Sequence, residues 1–232
     1  METILSLSGV CKSYKTADGV LDVLTGVNLQ VKKGEWIAIC GPSGSGKTTL
    51  LQLLGAEDSS FEGQIQIFGN NLSKLTTNQK AKCRLDHIAY IHQDFELLPF
   101  LTVRENIAVK DFIANRKVNR RKLISAAGSL GITDKLNFFP DAISGGQKQR
   151  TAVARALYSD AELVLADEPT GNLPASSRDA VMEQFSILHQ NKKTIICVTH
   201  DRYVASYAQK VYFLEQGKLS LINLSSWKED KV

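Results

Sequence analysis

The chain has few cysteines, and their spacing is not that of a metal or disulfide framework. There are four, Cys11, Cys40, Cys83 and Cys197, and none belongs to a Cys-x-x-Cys pair. Closely spaced cysteines build most zinc sites and small disulfide-rich domains, so the spacing argues against both classes. Cys40 and Cys197 lie in or at the end of apolar runs, and we expect them to be small buried hydrophobes.

Long apolar runs and a strong charge imbalance are also missing. No run approaches the roughly 20 residues that a helix needs to cross a bilayer. The segment from Met1 to Leu7 lacks the basic and apolar regions of a secretory signal. A net charge of +4 is only mildly basic and does not indicate a nucleic-acid partner. We therefore expect a cytoplasmic protein whose membrane role, if any, comes from a partner.

What the chain does contain is enough apolar sequence for one large α/β domain. Of its 232 residues, 43% are hydrophobic and 22% are charged, which is typical of a globular domain. Several apolar runs lack polar alternation, as strands do when a parallel sheet is covered on both faces. Strands are predicted at Trp36–Cys40, Gln64–Phe68, His87–Ile91, Glu162–Ala166, Thr194–Thr199 and Val211–Leu214. The segment from Thr3 to Val31 and the run around Phe68 alternate more, which favours an antiparallel sheet at the edge.

Between Gln93 and Ser159 the pattern changes to that of helices. Thr102–Glu105 and Ser144–Gln147 have the sequence of capping boxes, and Gly131 follows an apolar face as a helix-terminating glycine does. These signals predict an all-helical insertion in the α/β domain. A basic cluster within it is interpreted as a solvated helix start, with contact to lipid headgroups or an acidic partner as the alternative. It consists of Arg116, Lys117, Arg120, Arg121 and Lys122.

The segment Gly41–Thr48 has the pattern G-x-x-x-x-G-K-[ST] between a predicted strand and an apolar helix. Its glycines allow consecutive backbone N–H groups to surround phosphate oxygens at a helix N-terminus. Lys47 is expected to bridge the β- and γ-phosphates, and the Thr48 hydroxyl to bind Mg²⁺. A glycine turn without a ligand is the alternative, but it gives Lys47 and Thr48 no role.

An acidic pair follows the strand that ends near Ala166. Asp167 and Glu168 lie where parallel sheets place their ligands, at the carboxyl end of a strand. Asp167 is expected to hold Mg²⁺ through water, and Glu168 to orient and deprotonate an attacking water. An ordinary acidic turn before Pro169 would be the simpler interpretation if no phosphate loop were present.

A second glycine motif, Ser144–Gln147, opens a later helix and alone would be only a helix cap. With it, the chain resembles the nucleotide-binding domain of ATP-binding cassette proteins over nearly every residue. The family's motifs occur in order along the chain. They are Walker A at Gly41–Thr49, the glutamine loop at Gln93, the signature at Ile143–Arg150, Walker B at Leu163–Asp167 with Glu168, and the switch histidine His200.

The resemblance implies both a fold and a set of site residues. The fold is a RecA-like P-loop core with a parallel sheet, an N-terminal antiparallel β subdomain and an inserted α-helical subdomain. The core would span 1–92 and 160–232, and the helical subdomain 94–159. The implied catalytic residues are Glu168, His200 and Gln93, and the Mg²⁺ ligands are Thr48, Gln93 and Asp167. The implied ATP-binding residues are Tyr14, which would stack on adenine, and Gly41, Ser43, Gly44, Ser45, Gly46, Lys47, Thr48, Thr49, Ser144, Gly145, Gly146 and Gln147.

Members of this family pack two domains head to tail, so Ser144 and Gly146 of one chain would contact the ATP held by Lys47 of the other. The resemblance thus implies a homodimer with sandwiched ATP that drives an integral-membrane permease, with a membrane-fusion protein as an optional further component. One residue departs from the family pattern. Pro174 stands where the family normally has an aspartate that organises the opposing site, which puts cross-talk between the two sites in doubt.

Finer features resemble one group within the family. Ala166 and the segment Thr170–Leu173 are similar to macrolide and antimicrobial-peptide exporters, lipoprotein-release ATPases and the cell-division ATPase FtsE. The first hypothesis is the ATPase of a MacB-like exporter with a separate permease. The alternative is an FtsE- or LolD-like ATPase that transmits force or releases lipoproteins. The apolar run from Phe95 to Leu101 is expected to be part core and part groove for a permease helix.

Overall fold

The protein is described here by a computed structural model, which covers residues 2–17, 19–171 and 177–226. Within those ranges the strands are β1 Thr3–Thr16, β2 Gly19–Lys32, β3 Trp36–Cys40, β4 Glu62–Ile67, β5 Asn70–Asn71, β6 Ile88–Ile91, β7 Leu163–Asp167, β8 Thr194–Val198, β9 Lys210–Glu215 and β10 Lys218–Ile222. The α-helices are α1 Lys47–Leu54, α2 Thr77–His87, α3 Val103–Ile113, α4 Arg120–Ser129, α5 Gly145–Tyr158, α6 Arg178–Gln190 and α7 Arg202–Ala205. The chain divides into two compact units, Met1–Arg84 with Thr194–Val232, and Leu85–Lys193.

The first unit contains an antiparallel sheet in the order β2-β1-β4-β5. Side chains alternate in and out along the second half of β2, so Val27, Leu29 and Val31 are buried while the residues between them are exposed. This period of two is what a sheet with one covered face requires. The alternation from Thr3 to Val31 therefore predicts the antiparallel pairing correctly.

The same unit contains a parallel arrangement around β3. Strand β3 pairs in parallel with β8 on one side and with β9 on the other, and β10 pairs antiparallel with β9. All five residues of β3 and all five of β8 are buried. Strands without a polar face can only lie between two covering layers, so the apolar runs predict buried strands correctly.

The second unit is built around α5. This helix packs against α3, α4, α6 and β6, and β6 pairs in parallel with β7. Two helices begin at the capping boxes that the sequence predicts. Thr102 caps α3 with Glu105, and Ser144 caps α5 with Gln147. Gly131, with φ of 62°, follows the end of α4 in the left-handed conformation expected of a terminating glycine.

The six predicted strands are present, with ends that shift by one or two residues. The largest error concerns Phe68, which is predicted as strand but lies in a turn with φ of 47° beside Gly69. Its backbone N–H donates to Ile4 O, so a hydrogen bond from another strand holds the turn. The sequence does not predict β10. Its sequence is short and partly polar, and antiparallel pairing with β9 stabilises it as a strand.

Cys40 and Cys197 are buried, as expected of small hydrophobes in apolar runs. The basic cluster begins α4 as expected, with Asn119 as its N-cap. Two of its members also have acidic partners. Arg116 pairs with Asp86 at 2.5 Å and Lys122 with Asp160 at 2.5 Å.

Candidate nucleotide-binding site

In the first unit, the phosphate loop connects β3 to α1. The loop leaves β3 after Cys40, and α1 begins at Lys47 with Gly46 as its N-cap. Gly46 has φ of 98°, which side chains other than glycine rarely adopt. A Cβ at this position would also lie 2.8 Å from Val23 Cγ1. Both the backbone angle and the close approach of β2 therefore require glycine at the start of the helix.

The first glycine of the loop is equally constrained. A Cβ on Gly41 would overlap the carbonyl oxygen of Leu214 in β9, so any side chain there would displace the strand or the loop. The helix that follows directs its first backbone N–H groups and its positive dipole end toward this loop. Exposed N–H groups at a helix N-terminus are a common feature of anion-binding sites.

Two polar side chains of the loop are buried beneath it. Lys47 Nζ donates to Gly41 O at 2.9 Å and to Pro42 O at 2.8 Å, so the ammonium group lies across the loop. Ser45 Oγ is buried, and it has no hydrogen-bond partner among the described residues. A buried hydroxyl without a partner is costly unless it serves a ligand, and this observation fits a phosphate oxygen. Ser43, Gly44 and Thr48 are exposed.

His200 lies at the same edge of the sheet as the phosphate loop. It follows β8, which is parallel to β3 and pairs Val198 with Ile39. Thr199 N donates to Ile39 O at 3.1 Å, and Asp201 caps α7 by accepting from Tyr203 N at 2.8 Å. His200 is exposed between a buried threonine and a helix cap, at the carboxyl end of a strand adjacent to β3.

Tyr14, the predicted adenine-stacking residue, lies on β1. Its ring is partly exposed, and Lys12 Nζ lies 4.6 Å from the ring centroid. Lys12 pairs in register with Leu24 of β2, whose Cδ2 would be 3.3 Å from a Cβ on Gly46. The strand that carries Tyr14 is thus joined to the phosphate loop through β2.

In the second unit, the structure brings Gln93 beside the acidic strand end. Asp167 ends β7, and Glu168 follows with φ of 43°, an uncommon angle for a residue with a side chain. Gly171 N donates to Glu168 O at 2.9 Å and closes the turn. A Cβ on Gly171 would be 2.9 Å from Gln93 Nε2, so the amide of Gln93 lies against this turn. Sequence separation gives no indication of this contact.

The signature residues form the N-terminus of α5. Ser144 Oγ accepts from Gln147 N at 3.3 Å, and Gln147 Oε1 accepts from Ser144 N at 2.9 Å. Ser144, Gly145 and Gly146 are exposed, and a Cβ on Gly146 would meet nothing within 4 Å. An exposed N-terminus bearing two glycines allows another molecule to approach its backbone closely.

Two residues near the glutamine loop were missed by the sequence reasoning. Arg155 of α5 donates to Phe95 O at 3.0 Å and Glu96 O at 2.9 Å. Asn106 of α3 is fully buried, accepts from Leu98 N at 2.8 Å and donates to nearby carbonyls. Asn106 could have been suspected, because an amide on the buried side of a helix needs partners. No spacing pattern indicates Arg155.

The apolar run after Gln93 divides as expected between buried and exposed positions. Phe95 is 8% exposed, whereas Phe100 is 72% exposed. Next to the run, His92 stacks on Tyr90 with ring centroids 4.0 Å apart. Burial lowers the pKa of His92 below its ordinary value, although the nearby Glu96 carboxylate opposes this effect.

Two wider properties concern the part of the chain that the structure describes. None of its helices is both long and apolar enough to cross a bilayer. It also contains no group of three His, Cys, Asp or Glu residues placed to hold a metal ion. The expected Mg²⁺ ligands include a hydroxyl and an amide, so they do not form such a group. Pro174 lies outside the described residues.

Comparison with known proteins places these motifs in a family. The model of the ABC transporter family matches residues 24–171. The structure superimposes with a TM-score of 0.85 on a dimeric structure of the ATP-binding cassette MJ0796 in a post-hydrolysis state with ADP and Pi. That cassette is 32% identical, and the alignment covers 96% of this chain and 100% of the other.

Proteins of similar sequence also carry the names of ATP-binding proteins of transporters. The bacitracin export ATP-binding protein BceA of Halalkalibacterium halodurans is 39% identical, over 93% of this chain and 87% of BceA. The uncharacterized ABC transporter ATP-binding protein YvrO of Bacillus subtilis is 38% identical, over 94% of this chain and 96% of YvrO. The macrolide export ATP-binding/permease protein MacB of Chlorobium phaeobacteroides is 36% identical over 94% of this chain but 33% of MacB. The chain spans about a third of the length of such MacB relatives.

Fold and sequence together define a P-loop ATPase cassette with mixed α/β architecture, which confirms the predicted fold class. The chain belongs to the ABC transporter family.

Proposed function

We propose that this chain is the ATP-hydrolysing subunit that powers export of an antimicrobial peptide or drug through a separate MacB-like permease. The observation that carries the proposal is the pairing, in one chain, of a phosphate loop with a second exposed glycine helix start at Ser144. Similarity to BceA over 87% of that protein supports the exporter subtype. The domain boundaries at 92 and 94 and at 159 and 160 remain part of the proposal.

Each candidate residue has a proposed chemical role. Lys47 and the loop amides would neutralise the β- and γ-phosphates, and Tyr14 would stack on adenine. Thr48, Gln93 and Asp167 would hold Mg²⁺, which when bound shields the phosphate charge.

The two remaining residues would act on water. Glu168 would accept a proton as water attacks the γ-phosphorus, and the bond from phosphorus to the bridging oxygen of ADP breaks to release phosphate. His200 would orient that water and the γ-phosphate. The left-handed backbone at Glu168 suits this role, because uncommon backbone angles recur where a side chain must be aimed.

The proposed working unit is a homodimer with two ATP molecules. Exposed Ser144 and Gly146 of one chain would contact the ATP held by Lys47 of its partner, and hydrolysis would reopen the pair. The dimeric form of the MJ0796 cassette supports this arrangement. The permease would hold the dimer at the inner face of the cell membrane, with a membrane-fusion protein as an optional component and no nucleic acid.

The sharpest test is Glu168→Gln, which removes the base but keeps the shape of the side chain. We expect the variant to bind ATP and to accumulate as a dimer with ATP and Mg²⁺, because the dimer forms but cannot hydrolyse its ATP. Size-exclusion chromatography with light scattering measures the mass. Glu162→Gln, one residue before the strand that ends at Asp167, is the matched control and should hydrolyse ATP normally. A Glu168→Gln protein that binds ATP but remains monomeric would exclude the sandwich.

Export itself requires the permease. Co-expression should raise resistance to a peptide antibiotic or drug, and Glu168→Gln should abolish that resistance. If deletion instead damaged cell division or the envelope while drug susceptibility stayed unchanged, the alternative of an FtsE- or LolD-like ATPase would be favoured.

A further inference from the structure

The candidate adenine-stacking ring has a buried cation against it. Lys12 and Tyr14 are two residues apart on β1, and the pairing of β1 with β2 shifts register between Lys12 and Ser13. Lys12 Nζ lies 4.6 Å from the centroid of the Tyr14 ring. Lys12 is 4% exposed and Tyr14 is 37% exposed. The cation therefore contacts a ring that still has surface available for a ligand.

Lys12 is held by more than the ring. Its ammonium group pairs with Asp58 Oδ2 at 2.6 Å and donates to Ser60 O at 2.6 Å. Asp58 Oδ1 accepts from Ser60 N at 2.8 Å, so the acceptor is also fixed. A buried lysine with two charge-assisted contacts and a cation–π contact has little freedom to move.

The electrostatics of the pair agree with this geometry. Burial would raise the pKa of the Asp58 carboxyl, but the hydrogen bonds from Lys12 and from Ser60 N, together with the lysine charge, hold that pKa below its ordinary value. Asp58 therefore stays ionised opposite Lys12 at neutral pH. Removing either partner would leave a charge with reduced compensation.

Asp58 also joins the ring to the phosphate loop. It follows α1, the helix that begins at Lys47 and ends at Leu54. With 8 residues, α1 spans about 12 Å. The Lys12–Asp58 pair thus connects the strand that carries Tyr14 to the far end of the helix whose start forms the phosphate site.

We propose that Lys12, anchored by Asp58, is a positioning residue that sets the Tyr14 ring for adenine stacking at a defined distance from the phosphate loop. This inference rests on the proposed function, in which Tyr14 contacts adenine. Lys12 does not touch the nucleotide in this proposal. It acts through the ring, so its loss should weaken recognition of the base and leave recognition of the phosphates intact.

The experiment compares two ligands that share phosphates but differ in the base. Calorimetry measures the Kd of ATP and of inorganic tripolyphosphate for the wild type and for Lys12→Met. We expect Lys12→Met to raise the Kd of ATP about three- to tenfold and that of tripolyphosphate less than about twofold, because a cation–π contact acts only through the ring. Lys12→Arg keeps the charge and should retain more of the ATP preference.

Several variants keep the test interpretable. Lys15→Met makes the same substitution on the same strand at an exposed position and should change neither Kd. If Lys12→Met folds poorly, the double variant Lys12→Met with Asp58→Asn removes both buried charges and should show the same selective loss. A thermal melt of each variant establishes that it is folded.

Tyr14→Ala separates the possible failures. If it leaves the ratio of the two Kd values unchanged, adenine stacking fails and the inference fails with it. If Tyr14→Ala lowers the preference for ATP but neither Lys12→Met nor the double variant does, the inference alone is overturned. Equal weakening of both ligands by Lys12→Met would show a merely structural role and would also overturn it. Failure of Glu168→Gln to accumulate as an ATP-bound dimer bears only on the proposed function.

Discussion

At the scale of single residues, Lys47 shows how the phosphate loop holds its own cation. The ammonium group bonds to the carbonyls of Gly41 and Pro42, at the other end of the loop. Its side chain is mostly buried, so the charge is placed by the loop and not by solvent. A cation with its position already set loses little entropy when it binds phosphate.

The first prediction concerns Lys47→Met, which keeps the length of the side chain but removes its charge. We expect the Kd of ATP to rise about 10- to 100-fold, because a hydrogen bond to a charged group contributes about 1.5–3 kcal/mol. Calorimetry measures the change. Lys74→Met, an exposed substitution elsewhere in the same unit, should leave the Kd unaltered. Wild-type affinity in Lys47→Met would refute the assignment of the phosphate loop.

At the scale of elements, Arg155 ties α5 to the glutamine loop. It bonds to two consecutive carbonyls, those of Phe95 and Glu96. Both residues have positive φ, 67° and 42°, which is uncommon for residues with side chains. Burial lowers the pKa of Arg155, and the Glu96 charge opposes that effect. One buried guanidinium therefore stabilises a bend that the backbone alone would not favour.

We predict that Arg155→Met lowers the free energy of unfolding by about 2 kcal/mol, because two carbonyls lose a charged donor. Urea denaturation measures this change. Hydrogen exchange at the amides of residues 95–97 should also accelerate, by more than the loss in the free energy of global unfolding explains. Arg121→Met makes the same substitution at an exposed position on α4 and serves as the control. An unchanged urea midpoint together with unchanged hydrogen exchange would mean that the bend does not depend on Arg155.

The elements also show which parts of the fold can be predicted locally. The capping box at Thr102 is visible in the sequence because its two partners are three residues apart. Strand β3 is visible because each of its five residues is apolar. Phe68 has a side chain that favours strands, yet it lies in a turn. Its backbone N–H donates to the carbonyl oxygen of Ile4, on a strand that is far away in the sequence. At this position a tertiary hydrogen bond outweighs the strand propensity of the side chain.

At the scale of the whole molecule, two buried lysines connect stability to pH. Burial and then the charge of Lys193 lower the pKa of Lys110 to about 8, and burial and then the charge of Lys122 lower the pKa of Lys193 to about 8. Each donates to backbone carbonyls, Lys110 to Leu85 O at 3.0 Å and Lys193 to Ser159 O at 2.8 Å. Between pH 8 and 10.5 the unfolded chain keeps protons that the folded chain has lost. The free energy of unfolding therefore rises with pH in this window.

The third prediction is that Lys110→Met removes part of this rise. For one lysine, the folded pKa of about 8 corresponds to a gain of about 2 kcal/mol between about pH 7.5 and about pH 9.5. Urea midpoints at those two pH values measure the gain in the wild type and in the variant. Lys117→Met, at an exposed position of the basic cluster, should keep the full rise. Equal pH slopes in Lys110→Met and wild type would contradict the prediction.

At higher pH, another group acts in the opposite direction. Burial and a hydrogen bond to Asp111 raise the pKa of Tyr158 to about 12, so the folded chain keeps its phenol proton after the unfolded chain has lost it. Stability should then fall between pH 10 and 12. The wild type is expected to be most stable near the crossover of the two effects, at about pH 10.

The sequence by itself determined the features whose partners are close along the chain. The phosphate loop, both capping boxes and the buried strands follow from spacing and hydrophobicity over a few residues, and they were sufficient to indicate the family. The tertiary structure decided the contacts between distant segments. Lys12 reaches a carbonyl 48 residues away, and Arg155 one 60 residues away. No local spacing encodes such pairs, because only folding brings their segments together and excludes the water that would otherwise screen them.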